Sequence, residues 1–281
     1  MKLEYSSLKD DDIFILSDFN CAPSKELLKN SGLYKIIWSR DQSVEIIVDG
    51  YSLILEKNQV VFCTSLNILE IEADPKGLIA FVFNREFYCI QTHDEEVSCN
   101  GFLFFGSSFP QVITLSEKEI KRFTMMVYFF EEEFAIKDHI QGEMLRTLLK
   151  RLLIISSRLV KNNLPDSGMP KAQMDIVRKF NLLLEMHFRE KHKVSDYAAM
   201  LHKSPKTISN LFRKYSDKTP LSIINERIVL EAKRLLLYSN KTTEEIAYEL
   251  GYSEAAHFSK FFKKNEGLNP TSFKKKKLDS K

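Results

Sequence analysis

The sequence predicts two domains. The N-terminal one is mostly β, a barrel or sandwich followed by two helices. The C-terminal one is all-α, with two helix-turn-helix units joined by a long helix. Three observations predict this. Residues 30–115 are cut into short runs of β-branched and aromatic residues separated by turn residues. From Lys171 onward apolar residues recur at helical spacing, and within that stretch the chain repeats itself at an offset of 50. The charge divides in the same way: residues 169–281 hold 23 Lys+Arg against 13 Asp+Glu, a net of +10, while residues 1–168 hold the remaining 18 against 25, a net of −7. Such a split is expected when one half meets a polyanion and the other does not.

The strands are read in order at Leu33–Trp38, Val44–Val48, Tyr51–Leu55, Gln59–Cys63, Ile68–Ile71, Leu78–Phe83, Phe102–Phe105 and Val112–Leu115. Asp49-Gly50, Lys57-Asn58 and Asp74-Pro-Lys-Gly77 punctuate them as turns. At Ser116 the pattern changes. Ser116-Glu-Lys-Glu119 fits a capping box, so a helix should run from there to about Glu133. A second helix is expected over about 138–160, with Leu145, Leu148, Leu149, Leu152, Ile155 and Leu159 at three- and four-residue steps. This stripe is wider than a small barrel needs for cover, and it suggests a dimer contact. Lys161-Asn-Asn-Leu-Pro-Asp-Ser-Gly-Met-Pro170 breaks the pattern. The domains are therefore placed at 1–165 and 171–281.

Beyond the break, Met174, Val177, Leu182, Met186 and Phe188 supply one apolar face, Ser195 looks like the N-cap of the next helix, and Leu221–Leu237 reads as one long helix. Two motifs flank that long helix. The first is Asp196-Tyr-Ala-Ala-Met-Leu-His-Lys-Ser-Pro-Lys-Thr-Ile-Ser-Asn-Leu-Phe212; the second is Glu245-Ile-Ala-Tyr-Glu-Leu-Gly-Tyr-Ser-Glu-Ala-Ala-His-Phe-Ser-Lys-Phe-Phe262. Ile208 matches Phe258, Ser209 matches Ser259, Phe212 matches Phe262 and Pro220 matches Pro270, all at an offset of 50. Upstream, Ala198 matches Ala247 at 49, so the second turn carries one inserted residue. Gly251 fits a left-handed turn. The tail Lys274–Lys277 reads as a flexible, solvated run.

The segment Glu245-Ile-Ala, Gly251-Tyr-Ser, Phe258-Ser-Lys-Phe-Phe-Lys-Lys, Gly267 and Pro270-Thr-Ser-Phe273 resembles the signature of AraC-type (AraC/XylS) transcription regulators, over residues 175–274. The resemblance implies a seven-helix DNA-binding domain whose two recognition helices enter successive major grooves of double-stranded DNA. It places base-reading side chains at Lys206, Thr207, Ser209 and Asn210 in the first unit, and at Ala255, Ala256, His257 and Lys260 in the second. Lys and Asn can donate to purine edges, and Ala methyls can touch thymine methyls. Arg213, Lys214, Lys263 and Lys264 are expected on phosphates, which position without specifying. The chain departs from the pattern at Asp217, which stands where the second unit has Gly267, and at Lys274, where arginine is more usual.

The N-terminal half resembles, in pattern alone, the cupin-like sensory and dimerisation domain of such regulators. No metal or other cofactor is expected, because residues 1–92 contain no histidine. Cys89, His93 and Cys99 are close in sequence, but ordinary packing is their first reading. Phe81, Phe83, Phe87, Phe102, Phe104, Phe105 and Phe109 supply core or could line an apolar effector pocket. The four cysteines lack metal or disulfide spacing, no run of about 18 apolar residues exists, and no signal peptide is read, so a cytoplasmic protein is expected. The expected partners are double-stranded DNA, a small-molecule effector, a second copy of the chain as homodimer and, for an activator, RNA polymerase. Two alternatives stand beside this: a dimeric regulator without effector, and a small-molecule enzyme built on the barrel. The second lacks any nucleophile, base and orienter set within one motif.

Overall fold

The computed structural model describes residues 1–7, 11–18, 28, 32–71, 77–90, 103–104, 110–163, 171–215 and 218–278. The chain forms two compact units, Met1–Pro165 and Asp166–Lys281. The first is β-rich and the second helical. Among the described residues no helix is long and apolar enough to cross a membrane.

The strands of the first unit are β1 (Lys2–Ser6), β2 (Ile13–Ser17), β3 (Leu33–Ser39), β4 (Val44–Val48), β5 (Tyr51–Leu55), β6 (Gln59–Cys63), β7 (Leu69–Glu70), β8 (Leu78–Asn84) and β9 (Gln111–Thr114). One antiparallel sheet runs β1-β2-β8-β3-β6-β9 and a smaller one runs β5-β4-β7. All residues of β3 and of β8 are buried, which explains why both read as apolar runs without alternation. Leu33, Ile37, Val61, Cys63 and Val82 pack with Val44, Ile46, Val48 and Leu55 of the smaller sheet. The alternate residues face two helices, α1 (Glu117–Ala135) and α2 (Gln141–Asn163). There Phe14 meets Phe130 at 5.0 Å, Phe81 meets Phe130 at 5.3 Å and Trp38 meets Phe123 at 5.8 Å between ring centres.

The turns follow the sequence. Asp49 and Gly50 have φ of 49° and 80°, the left-handed pair that a two-residue hairpin needs between Val48 and Tyr51. Asn58 also has a positive φ, 63°. One lysine lies inside the unit. The Lys35 ammonium donates to the carbonyls of Leu33 (2.9 Å) and Asn67 (3.0 Å). Burial lowers its pKa to about 8, against the opposing pull of Cys63 and Asp49. Burial pushes the neighbouring Cys63 thiol up to about 12, so it is no nucleophile.

Several expectations are corrected. Strands β1 and β2 precede residue 30; β1 escapes notice because it is a short edge strand with charged, half-exposed side chains. Leu103 and Phe104 are helical rather than extended. A short buried apolar run cannot distinguish the two by periodicity. In α2, Leu145, Leu149 and Leu152 are fully buried in their own unit, and only Leu148, Ile155 and Leu159 are half-buried. Half of the expected dimer stripe is therefore core. The helix also starts later than expected, at Gln141, whose side-chain amide donates to the Glu133 carbonyl at 2.9 Å and closes the α1–α2 hairpin. Phe81, Phe83, Phe87 and Phe104 are packed in this core; Phe102, Phe105 and Phe109 lie outside the described residues, as do His93 and Cys99.

Candidate nucleic-acid interface

The second unit holds α3 (Lys171–His187), α4 (Val194–Met200), α5 (Pro205–Tyr215), α6 (Pro220–Tyr238), α7 (Thr243–Glu249), α8 (Ala255–Glu266) and α9 (Pro270–Leu278). The repeat in sequence is a repeat in backbone. Helix α4 ends with Lys203 N–H donating to Ala198 O (2.9 Å) and His202 N–H to Ala199 O (3.0 Å). Helix α7 ends with Tyr252 N–H donating to Ala247 O (2.9 Å) and Gly251 N–H to Tyr248 O (3.0 Å). Both are Schellman motifs, with His202 (φ 52°) and Gly251 (φ 76°) in the left-handed position. The extra residue of the second turn follows this shared motif, before α8 begins.

The helix starts repeat as well. Pro220 and Pro270 each open a helix behind a side-chain cap: Thr219 Oγ1 accepts from Ser222 N–H at 3.1 Å, and Asn269 Oδ1 from Ser272 N–H at 2.8 Å. Thr242 and Glu245 form a capping box on α7, and the two Thr242 hydrogen bonds hold the Glu245 carboxyl below the usual range. Ser195 is not a cap. The N-cap position is Lys193, two residues earlier, with Asp196 Oδ2 accepting from Lys193 N–H at 3.3 Å.

What orients the helices is a buried core with one charged cluster. Phe180 packs on Tyr197 (5.3 Å) and Phe212 (5.0 Å); Phe262 packs on Phe258 (5.9 Å) and Phe273 (5.5 Å). Glu231 of α6, 1% exposed, binds Arg189 at 2.7 Å and Arg234 at 2.5 Å, and lies 3.5 Å from Arg227. Arg227 in turn binds Glu185 of α3 at 2.7 Å and lies 3.9 Å from the Phe188 ring centre. Burial alone would raise the Glu231 pKa, but the surrounding guanidinium groups override it and hold the carboxyl at about 2. The segment between α3 and α4 also reaches the second turn. His192 lies 4.9 Å from the Tyr252 ring, and burial lowers its pKa. A Cβ on Gly251 would sit 2.0 Å from the Arg189 carbonyl oxygen.

Helix α5 buries Ile208, Leu211 and Phe212 and presents Lys206, Ser209, Asn210 and Arg213 on the opposite side, all exposed, at i, i+3, i+4 and i+7. Thr207 is exposed at the edge of that stripe, but its hydroxyl lies 2.8 Å from Ser204 Oγ, which caps the helix through Thr207 N–H at 3.0 Å. Lys214 lies in α5; its side chain is outside the described residues, as is Asp217. Helix α8 buries Phe258 and Phe262 and presents Ala256, Lys260 and Lys263 in the matching stripe, all exposed. His257 and Lys264 are exposed on its edge, with His257 Nε2 3.7 Å from Glu254. Ala255 is half-buried at the start of the helix, in the place of Pro205 and away from the stripe. Ser259, not singled out in the sequence, completes the stripe as the counterpart of Ser209; the offset of 50 was the available signal. The Lys274–Lys277 run is not a loose tail but part of α9. Among the described residues no group of His, Cys, Asp and Glu could hold a metal ion.

Residues 197–276 match the family described as a helix-turn-helix domain. The transcriptional regulator ExsA of Pseudomonas aeruginosa is 30% identical over 95 residues, 34% of either chain. The transcriptional activator RhaS of Escherichia coli is 26% identical over 143 residues, 50% of this chain and 48% of RhaS. The chain thus spans less than half the length of these curated relatives. Among solved structures, the DNA-binding domain of AdpA, in complex with a target DNA, is 25% identical with a TM-score of 0.34, over 39% of this chain and 95% of that one. Fatty-acid-bound ToxT from Vibrio cholerae is 16% identical with a TM-score of 0.40, over 86% of each chain. With its duplicated helix pairs and this match, the stretch 197–276 is an AraC-type helix-turn-helix domain, similar to those of the transcription regulators ExsA and RhaS.

Proposed function

We propose that this chain is a sequence-specific DNA-binding transcription regulator. The observation that carries the reading is the doubled stripe: Lys206, Ser209, Asn210 and Arg213 on α5, and Ala256, Ser259, Lys260 and Lys263 on α8, each opposite a buried aromatic seam. In this reading the two helix pairs are helix-turn-helix units and α5 and α8 enter successive major grooves, about 34 Å apart along the duplex. The polar members of each stripe read base edges; Arg213, Lys214, Lys263 and Lys264 hold phosphates. Ala255 drops out of the base-reading set because it opens the helix beside the buried Phe258 and Phe262 side, and Ser259, the counterpart of Ser209, joins it.

The first unit serves, in the same proposal, as a cupin-like sensory and dimerisation domain that answers a small molecule. A homodimer would bring two DNA-binding units to a repeated or palindromic site. An activator of this kind would also touch RNA polymerase, and all of this belongs in the cytoplasm. The test is selection of duplexes from a random pool by the purified full chain. Two short conserved blocks about one helical turn apart are expected; a pool that remains random after several rounds refutes the reading. Thermal stabilisation by a metabolite from a screened set would identify an effector.

A further inference from the structure

On the outward side of the first unit, a groove of about 430 Å³ runs between α1 and α2. Met125, Met126, Phe129, Ile154 and Ile155 form its floor and walls, and Met125 is 56% exposed. Arg122, Lys150, Arg151 and Arg158 form its rim, and no carboxylate lines it. The sign of the rim opposes its surroundings, because residues 1–168 carry a net of −7. Two other arginines of this unit are paired: Arg40 with Asp41 at 3.2 Å, and Arg146 with Glu143 at 2.6 Å. Among the described residues, no carboxylate pairs with Arg122, Arg151 or Arg158. The Arg151 guanidinium lies 6.0 Å from the Phe129 ring centre, so its stem extends the apolar wall while its charge stays at the edge.

The walls are helices, whose backbone groups are already paired, so the groove offers side chains and no strand edge. The Met125–Phe129 pair and the Arg151–Ile154–Ile155–Arg158 set repeat at helical steps, matching a third helix laid in the valley. We propose that this groove docks an acidic amphipathic helix of a partner protein. Its apolar stripe covers the methionine and isoleucine floor, and its Glu and Asp flanks meet Arg122, Arg151 and Arg158. A nucleic acid would leave the apolar floor without cover. A second copy presenting the same face would set its own three arginines against these three, a like-charge contact that opposes association.

The probe is a synthetic helix-forming peptide of about 18 residues with a Leu stripe and Glu flanks, compared with the same peptide carrying Lys flanks, by fluorescence anisotropy on the full chain. The acidic peptide should bind at least about tenfold more tightly than the basic one, and Arg122→Glu/Arg151→Glu/Arg158→Glu should reverse that order. All three sites are exposed, so this variant should keep its thermal midpoint and its binding to the selected DNA. Met125→Asp/Ile154→Asp should weaken both peptides. No saturable binding of the acidic peptide, binding that the charge-reversed chain retains, or a fall from dimer to monomer on charge reversal would each overturn the proposal, the last by showing that a second copy occupies the groove.

Discussion

Gly251 and His202 occupy the same left-handed position in two copies of one turn, yet their surroundings differ. At Gly251 an added methyl meets the Arg189 carbonyl oxygen at 2.0 Å, and backbone cannot swing aside as a side chain would. Gly251→Ala should therefore lower the thermal midpoint of the full chain, by a destabilisation beyond the roughly 1–2 kcal/mol that the conformation alone costs. His202 is exposed, so His202→Gly removes conformational strain without loss of packing. It should be neutral or stabilise by up to about 1 kcal/mol, and a midpoint that fell as far as that of Gly251→Ala would sink this account. For DNA, Lys206→Ala and Asn210→Ala should relax base preference in one block of the selected site, and Lys260→Ala in the other, each costing about 1–3 kcal/mol on the specific duplex. Equal losses on specific and random duplexes would make these side chains phosphate contacts instead. The stripe on α5 was legible in the sequence because Ile208 and Phe212 fix which side is buried. Ser259 is the counterpart of Ser209 at the offset of 50, and Ala255 opens α8 where the first unit has Pro205.

Helix α6 shows what periodicity leaves out. Its apolar positions gave its length, but they carry no signal for the roles of Arg227, Glu231 and Arg234. Only packing against α3 and the segment after it brings Glu185 and Arg189 to them and takes Glu231 out of water. Glu231→Gln would leave three guanidinium groups around a neutral amide and should destabilise the second unit by about 3–5 kcal/mol. The same carboxylate sets an acid limit. Its folded pKa, about 2, lies below the ordinary 4.5 of a glutamate, so its contribution is complete above 4.5 and fades as the pH falls towards 2. Unfolding of the second unit followed by helical circular dichroism should show stability falling through that window in the wild type, and a shallower fall in Glu231→Gln. Helix α2 carries the complementary lesson. Its leucines were visible as a stripe, but which of them the larger sheet claims depends on the face that Trp38, Phe81 and Phe14 present. Leu152→Glu should unfold the first unit, while Leu148→Glu, at a half-buried position, should leave it folded.

At the scale of the whole molecule, salt dependence and assembly are linked. If Arg213, Lys214, Lys263 and Lys264 each neutralise one phosphate, a single chain releases about four counterions on binding, for a log–log salt slope near −3.6. Between roughly 50 and 200 mM salt that amounts to a loss of about a hundredfold in affinity. A homodimer with both DNA-binding units engaged doubles the contacts and steepens the slope to about −7, whereas a lone chain on a single site does not. The slope therefore counts DNA-binding units independently of where the chains touch, which matters because only Leu148, Ile155 and Leu159 of the expected α2 stripe are left partly uncovered for such a contact. Sedimentation of the free protein supplies the other half of the measurement. A dimer in sedimentation with a slope near −7 on a repeated site is the expected outcome. A monomer at micromolar concentration whose slope stays near −3.6 on single and repeated sites alike would refute the dimer and leave each chain reading its site alone.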